Sequence, residues 1–445
     1  MSEQYAIVGA SVEAIAASVE TGVAIGALAA GERLPSVRAL AASLDVSPTT
    51  VASAWEELRR RGVVVSRPRS GTRVADRPPV RPTRPVAVVP AGVRDLALGN
   101  PDPALLPDLT AAVTALAASD PAGPAGGGPF TQRLYGEDPV DPALAALARE
   151  AFLADGVDAE RIVVVSGALD GIERVLGAQL SPGDLVAVED PGWPGVLDLA
   201  RALGLRLAPV AVDDHGMRPE SLEVALREGA RAAIVTPRGQ NPFGAALDAA
   251  RAASLRELLR EVFVVEDDHL GPVAGVPYHS AAGASGRWAV VRSVSKWLGP
   301  DLRCAVVAGD ELTLARVEGR QSLGPGWVSG IVQRIAAALW AEAEPRHAAE
   351  TYAARRRALV DALGAHGLAA HGRSGLNVWI PVPDEDAVVR ALIAEGYSVA
   401  AGGAFRLSSA PAVRVTTAGL SVDQAGRVAD AIAAAVKPPS RTRAA

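Results

Sequence analysis

Over the first sixty residues, apolar side chains recur every three or four positions. Val12, Ile15, Ala16 and Val19 form one such stripe, ending near Gly22, as expected of a helix with one buried face. After Gly31-Glu-Arg-Leu-Pro35, Ser36 can cap a second helix that buries Val37, Leu40, Ala41 and Leu44. Ser47-Pro48 marks a third start, a capping hydroxyl followed by proline at the first helical position. That helix buries Val51, Ala54, Trp55 and Leu58, ends at Gly62, and turns Thr49, Thr50 and Ser53 outward. Two short helices joined by Asp45-Val46 make a helix-turn-helix. The next two β-like runs, residues 63–74 around an Arg-Pro-Arg-Ser-Gly tip, make a hairpin wing. The plain alternative is a small helical domain with a solvated Arg59-Arg-Arg61 end.

Residues 76–94 hold five prolines and no helical or strand period. At ~3.1 Å per residue they can span about 60 Å, the property of a tether. From Val140 onward, short apolar runs at 161–165, 184–188, 231–236, 262–265, 288–292 and 303–308 alternate with helical stretches such as 248–260. Unalternating runs of this kind fit a largely parallel sheet covered on both faces, with ligands at the C-terminal ends of the strands. The expected divisions are 1–75, a linker at 76–95, a second domain over 96–437, and a flexible tail at 438–445.

Composition narrows the class without fixing the function. Hydrophobic content of 49% with 21% charged residues excludes general disorder. No charge-free run of about 18 apolar residues is present, so no membrane span is expected. The N-terminus has no signal-peptide pattern, and the single cysteine, Cys304, fits a reducing compartment, which together point to the cytoplasm. The six histidines make no ligand-spaced group, so no metal site is expected. Charge is uneven: residues 1–58 carry two arginines against seven acids, a net of −5, whereas residues 59–84 carry nine arginines against one acid, a net of +8. A basic wing beside a recognition helix suits double-stranded DNA, with Arg69 and Arg73 on the phosphates and helix residues at base edges.

Lysine occurs only at Lys296 and Lys437, against 42 arginines. Arginine keeps its proton and cannot form an imine, whereas a partly buried lysine can. Lys296 lies in the strand-like run 288–299, where snorkelling to solvent is the plain alternative. Its neighbours at the other strand ends bear on the choice. Ser166-Gly167-Ala168 opens a helix and offers amides to an anion. Trp193 can stack on a flat ring or pack in the core. Asn241 can donate to a phenolic oxygen. Glu266-Asp-Asp-His269 crowds three carboxylates at a buried strand end, costly unless one meets a cation such as a protonated pyridine nitrogen. Ser293, Ser295 and Arg303 complete an anion site.

Two resemblances follow from these motifs. Residues 31–41, 46–51 and 70–74 resemble the winged helix of GntR-family regulators, over most of 11–75. The resemblance implies that Arg38, Ser47, Thr49, Thr50 and Gly71 lie at the DNA; Pro48 stands where many members carry arginine. Residues 96–437 resemble the fold-type-I aminotransferases that use pyridoxal 5'-phosphate. This implies an α/β domain with a mostly parallel central sheet, large subdomain about 140–325, and a smaller C-terminal α+β subdomain, about 326–437. It makes Lys296 the Schiff-base lysine, Asp267 the pyridine-nitrogen partner, Asn241 the ligand of the ring hydroxyl, and Trp193 the stacking ring. Gly167, Ala168, Ser293 and Arg303 would hold the phosphate. Tyr135 would reach the neighbouring subunit's phosphate, and Arg414 would bind an effector carboxylate. His269 stands where a tyrosine usually helps Asn241. The fusion resembles the MocR subfamily, which implies a homodimeric regulator that senses pyridoxal phosphate, or an amino compound forming an external aldimine with it. The alternative is a working aminotransferase carrying a DNA-binding domain; His269 and the arginine-rich wing lean toward the regulator.

Overall fold

A computed structural model describes residues 5–24, 26–29, 31–60, 63–67, 71–75, 89–118, 133–282 and 285–436. Arg69, most of the proline-rich linker, Lys437 and the expected tail lie outside the described residues.

The head contains three helices, Val12–Ala24, Val37–Leu44 and Pro48–Arg60. Their apolar stripes meet: Ile15, Ala16, Val19, Val51, Ala54 and Leu58 are fully buried, with Leu40, Ala41 and Trp55 nearly so. Ser36 caps the second helix by accepting from Ala39 N. Strands Val64–Arg67 and Gly71–Val74 pair antiparallel as the wing. Residues 32–34 add to its edge, through Leu34 N to Thr72 O and Val74 N to Glu32 O.

The second domain is built on an eight-stranded sheet. Its spatial order is Val163–Val165, Ala305–Gly309, Trp288–Ser293, Phe263–Asp268, Ala232–Val235, Leu185–Asp190, Arg206–Asp213 and Gly216–Met217. All six apolar runs of the sequence are strands here. Ala305–Gly309 is antiparallel to both neighbours, and the pairs from Trp288–Ser293 to Arg206–Asp213 are parallel. Alternate residues feed different cores. Val163, Val165, Val186, Ile234, Val265 and Val291 enter one, under helices Ala168–Gln179 and Glu311–Ser322. Val164, Val290 and Val306, with Ala187, Ala233 and Val264, enter the cores of the other face. Cover on both faces is why these strands read as unbroken apolar runs.

A smaller unit packs around Leu359, Leu363, Val378, Ile380, Val413, Val415, Val428 and Ile432. Its sheet has the order Asn377–Pro381, Ala412–Thr416, Ala400–Ala401, and Tyr397–Ser398 pairs in parallel with Arg94–Asp95. Helix Gly330–Glu342 puts Ala336, Ala337 and Leu339 in the large core, while Leu96 joins the small one. Helix Pro345–Ala365 is shared, with Tyr352 in the large core and Leu359 and Leu363 in the small. The physical reason is length: 21 residues at 1.5 Å each reach about 31 Å, enough to serve both. Among the described residues, no helix is long and apolar enough to cross a membrane.

Candidate functional site

In a parallel sheet the strands deliver their last residues to one edge, and here that edge collects most of the residues singled out by the sequence. Phe263–Asp268 ends in three buried carboxylates, and because successive side chains leave opposite faces, Asp267 points away from Glu266 and Asp268. Glu266 accepts from Tyr278 Oη, from Ser280 Oγ at 3.0 Å and from Ala281 N at 2.6 Å. Burial raises its pKa against those bonds. Asp268 is clamped by two buried arginines, Arg238 at 2.8 and 2.9 Å and Arg292 at 2.6 Å. Burial alone would raise Asp268; the two guanidiniums reverse this and hold it well below the usual carboxylate range. Both guanidiniums also reach Asp155 and lie over Tyr278. Asp267 remains. It is 2% exposed, and its Oδ1 has no hydrogen-bond partner.

Around Asp267 lie the other predicted groups. Trp193 precedes helix Pro194–Ala202 and stacks on His269, with centroids 6.2 Å apart and planes at 28°. His269 Nδ1 stands 3.6 Å from Asp267 Oδ2, too long for a hydrogen bond. The structure thus sets His269 against Asp267 and Trp193. Asn241 instead accepts, through Oδ1, from Arg414 Nη1 at 2.9 Å. Arg414 is 1% exposed, on strand Ala412–Thr416. Lys296 Nζ donates to Gly99 O at 2.7 Å.

A second cluster sits at the end of Val163–Val165. Helix Ala168–Gln179 starts at Gly167, which supplies no side-chain cap, so the amides of its first turn are left for another acceptor. Gly167 has φ +96°, and a Cβ there would lie 2.6 Å from Arg303 Nη2, so glycine is required for the arginine to approach. Arg303 also reaches Ser166 O at 3.3 Å. Ser293 Oγ donates to Ser295 Oγ at 3.1 Å and accepts from Ser295 N. A helix start, a guanidinium and hydroxyls are what a phosphate needs. Tyr135 stands apart from both clusters, 93% exposed, with its ring edge-on to Trp327.

Four participants carried no assignment in the sequence. Gly99 and Ala97 bring carbonyls to Lys296 and Arg414; only the Gly-Asn-Pro turn signal after Leu96-Ala-Leu98 hinted at them. Glu189 accepts from Thr236 N, Thr236 Oγ1 and Gln240 Nε2, tying two strand ends together. Asp190 accepts from Leu407, Ser408 and Ser409, including both serine hydroxyls, and so bolts the small unit beside Trp193.

Glu189 gives a pH prediction. Burial pushes it up to about 7, with the Asp267 charge adding to the rise, from an ordinary 4.5. A folded value above the unfolded one means folding favours the protonated form. The stability that Glu189 contributes is therefore full below pH 4.5 and is lost as pH rises through about 7. In Glu189→Gln, the dependence of the urea midpoint on pH across that interval is expected to flatten; an unchanged slope would remove Glu189 as its source.

In the head, Ser47 Oγ lies 2.7 Å from both Thr49 Oγ1 and Thr50 Oγ1 and accepts from Thr50 N at 3.1 Å. These hydroxyls crowd the start of the exposed helix, and Arg38 is exposed. Arg73 spends one donor on Gly31 O at 2.9 Å and stays exposed. At the wing, Gly71 has φ +78° beside Arg33.

Comparison with known proteins agrees with both halves. A model of the bacterial regulatory proteins of the gntR family matches residues 11–74, and one of aminotransferase class I and II matches residues 95–432. The vitamin B6 salvage pathway transcriptional repressor PtsJ of Salmonella typhimurium is 39% identical over 406 residues, covering 88% of this chain and 90% of PtsJ. The probable rhizopine catabolism regulatory protein MocR of Rhizobium meliloti is 30% identical over 318 residues, covering 63% and 62%. The chain belongs to the MocR-type regulators.

The kynurenine aminotransferase of Pyrococcus horikoshii shares the fold of the larger domain, with a TM-score of 0.68 at 22% identity over 78% of this chain and 92% of its own. In a MocR-type regulator the head binds DNA, and the aminotransferase-like domain takes pyridoxal phosphate. The residues here fit that group. Asp267 offers a buried acceptor without a donor, the counterpart of a protonated ring nitrogen. The start of helix Ala168–Gln179 with Arg303 offers a phosphate site.

Proposed function

We propose that this regulator holds pyridoxal phosphate through Lys296 and changes its grip on DNA in response. The observation that carries the cofactor reading is Asp267: of three adjacent buried carboxylates, two are satisfied by protein and one is not. In this reading Asp267 accepts from the ring nitrogen, Asn241 meets the ring hydroxyl, and Trp193 and His269 flank the ring. Ser166, Gly167, Ala168, Ser293, Ser295 and Arg303 bind the phosphate. When bound, the cofactor supplies an aldehyde carbon that accepts a primary amine and a ring that absorbs visible light. The protein's own part is to bind and orient it. Trp193 shields one side, Arg292 and Arg238 anchor the strand that aims Asp267, and the Asp190 bolt keeps the small unit over the site.

The likeness to PtsJ across nearly the whole chain supports vitamin B6 supply as the signal. On this reading the chain represses genes of cofactor salvage while pyridoxal phosphate is plentiful. A second reading has its own support: buried Arg414 beside Asn241 suits the carboxylate of an amino compound entering the loaded site. We also propose a cytoplasmic homodimer, in which the exposed Tyr135 of each copy reaches the phosphate site of the other.

The test uses full-length protein and the intergenic DNA beside its own gene. Pyridoxal phosphate is expected to change the DNA dissociation constant about tenfold, within the usual range for coupled sites. Free amino acids should add nothing if the B6 reading holds, and an additional shift by one of them would favour the amino-compound reading. Arg38→Ala is expected to weaken DNA binding and to lower its salt dependence by about one counterion. A DNA affinity indifferent to Arg38 and to the cofactor alike would overturn the proposal.

A further inference from the structure

The chain that leaves the linker runs straight into the cofactor site. Strand Arg94–Asp95 is rooted in the small unit by its pairing with Tyr397–Ser398. Arg94 adds bonds to Gln424 Oε1 at 2.6 Å and to Gly419 O. Leu96 continues the attachment, donating to Ser398 O and accepting from Thr416 N, both at 2.8 Å. Asp95 Oδ1 then accepts from Ala97 N and Leu98 N and turns the chain inward. Beyond the turn, two carbonyls face the site's cations. Ala97 O accepts from Arg414, which belongs to the small unit, and Gly99 O accepts from Lys296, which belongs to the large one. Gly99 has φ +71°, and a Cβ there would lie 3.5 Å from Arg414, so the strap passes close under that guanidinium. The bond from Lys296 thus ties the large sheet to the segment that roots the linker of the DNA-binding head.

We propose that Lys296 Nζ to Gly99 O is a clamp between the two units, opened by cofactor bonding, so that residues 97–100 pass the state of the site to the linker. This rests on the reading that Lys296 bonds pyridoxal phosphate. In that step Lys296 Nζ forms a bond to the aldehyde carbon, and the aldehyde oxygen leaves as water with two of the ammonium's three protons. The one N–H left is fixed about a carbon–nitrogen double bond and cannot turn to follow Gly99 O. An ammonium with three rotatable donors can hold the strap; the bonded nitrogen cannot. Gly99 then loses its bond to the large unit, whose next hold on the chain is Tyr352 Oη accepting from Asp102 N at 3.1 Å, while Arg94, Asp95 and Leu96 stay with the small one. The linker root is freed to shift with the small unit, and a shift that favours one arrangement of the heads changes DNA affinity.

Full-length protein, cofactor-free and loaded with pyridoxal phosphate, tests this by three measurements on the same samples. Visible absorbance reports bonding to Lys296. Amide hydrogen exchange over 97–100 reports the strap, and DNA titration reports the head. Loading is expected to raise the absorbance, to speed exchange over 97–100, and to change the DNA dissociation constant about tenfold. A Gly-Ser-Gly-Ser insertion between Gly92 and Val93, outside the site, is expected to keep the absorbance and exchange responses and to lose most of the tenfold DNA response. Absorbance that rises without any change in strap exchange overturns the clamp and leaves the cofactor reading standing. An insertion variant with the full DNA response overturns transmission through the linker root. Absorbance that never rises overturns the cofactor reading, and the clamp falls with it.

Discussion

Lys296→Ala is expected to lack the absorbance band of lysine-bonded pyridoxal phosphate and to release the cofactor, with its colour, on dialysis. The proposed phosphate ligands and Asp267 are untouched by the change, so weak binding should survive. The retained affinity is expected to fall by on the order of a hundredfold or more, about 3 kcal/mol, because the nitrogen that would bond the aldehyde carbon is gone. Lys296→Arg separates bonding from charge. It keeps a cation near Gly99 O but presents a guanidinium that cannot condense, so it too should lose its colour on dialysis. The measurement is an absorbance titration followed by dialysis and phosphate analysis. Retention of the visible band in either variant would show that another group bonds the cofactor. Lys437, the other lysine, lies outside the described residues and far along the sequence.

Asp268→Ala should be among the most destabilising single changes in the larger domain. It would leave Arg238 and Arg292, both nearly fully buried, with only Asp155 between them. Breaking a buried pair in this way costs about 3–5 kcal/mol, since a charge is left without its partner in a low-dielectric interior. Urea denaturation of cofactor-free protein is expected to show that loss. The neighbouring change Asp267→Ala should behave oppositely: its Oδ1 has no hydrogen-bond partner, so the cofactor-free protein is expected to lose little or gain stability while the hold on cofactor drops. Equal losses at both positions would mean that the two carboxylates do not divide their tasks as described. The pH sign follows from Asp268's depressed pKa. The stability it contributes is present above the ordinary value of 3.8 and is lost as pH falls below it. Asp268→Ala should therefore narrow the gap to the unaltered protein in acid.

Much of this was legible in the chain because the relevant signals are local. A helix stripe such as Val51, Ala54, Trp55, Leu58 needs only the 3.6-residue period, and all four are buried. Runs such as Val163-Val-Val165 and Val290-Val291 declare a sheet covered on both faces. Strands Arg206–Asp213 and Ala412–Thr416 were not anticipated: the first mixes exposed and buried positions, and the second is five residues long with a buried arginine at its centre. The division of helix Pro345–Ala365 between two cores is not legible in the chain, because a helix does not record in its own sequence which core each of its turns will join.

The sequence by itself determined that two unlike domains share this chain, that one is a winged helix and the other a parallel α/β layer, and that Lys296 is one of only two lysines. Those conclusions rest on periodicity, turn chemistry and the replacement of lysine by arginine elsewhere, all properties of short stretches. Only the tertiary structure decided how the protein itself satisfies Glu266 and Asp268 while leaving an oxygen of Asp267 without a hydrogen-bond partner. That depends on Arg238, Arg292, Tyr278 and Ala281, which arrive from other strands and loops. It also decided that the segment after the linker ends under Lys296. Residues 99 and 296 are distant in sequence and meet because the small unit carries one onto the edge of the sheet that carries the other.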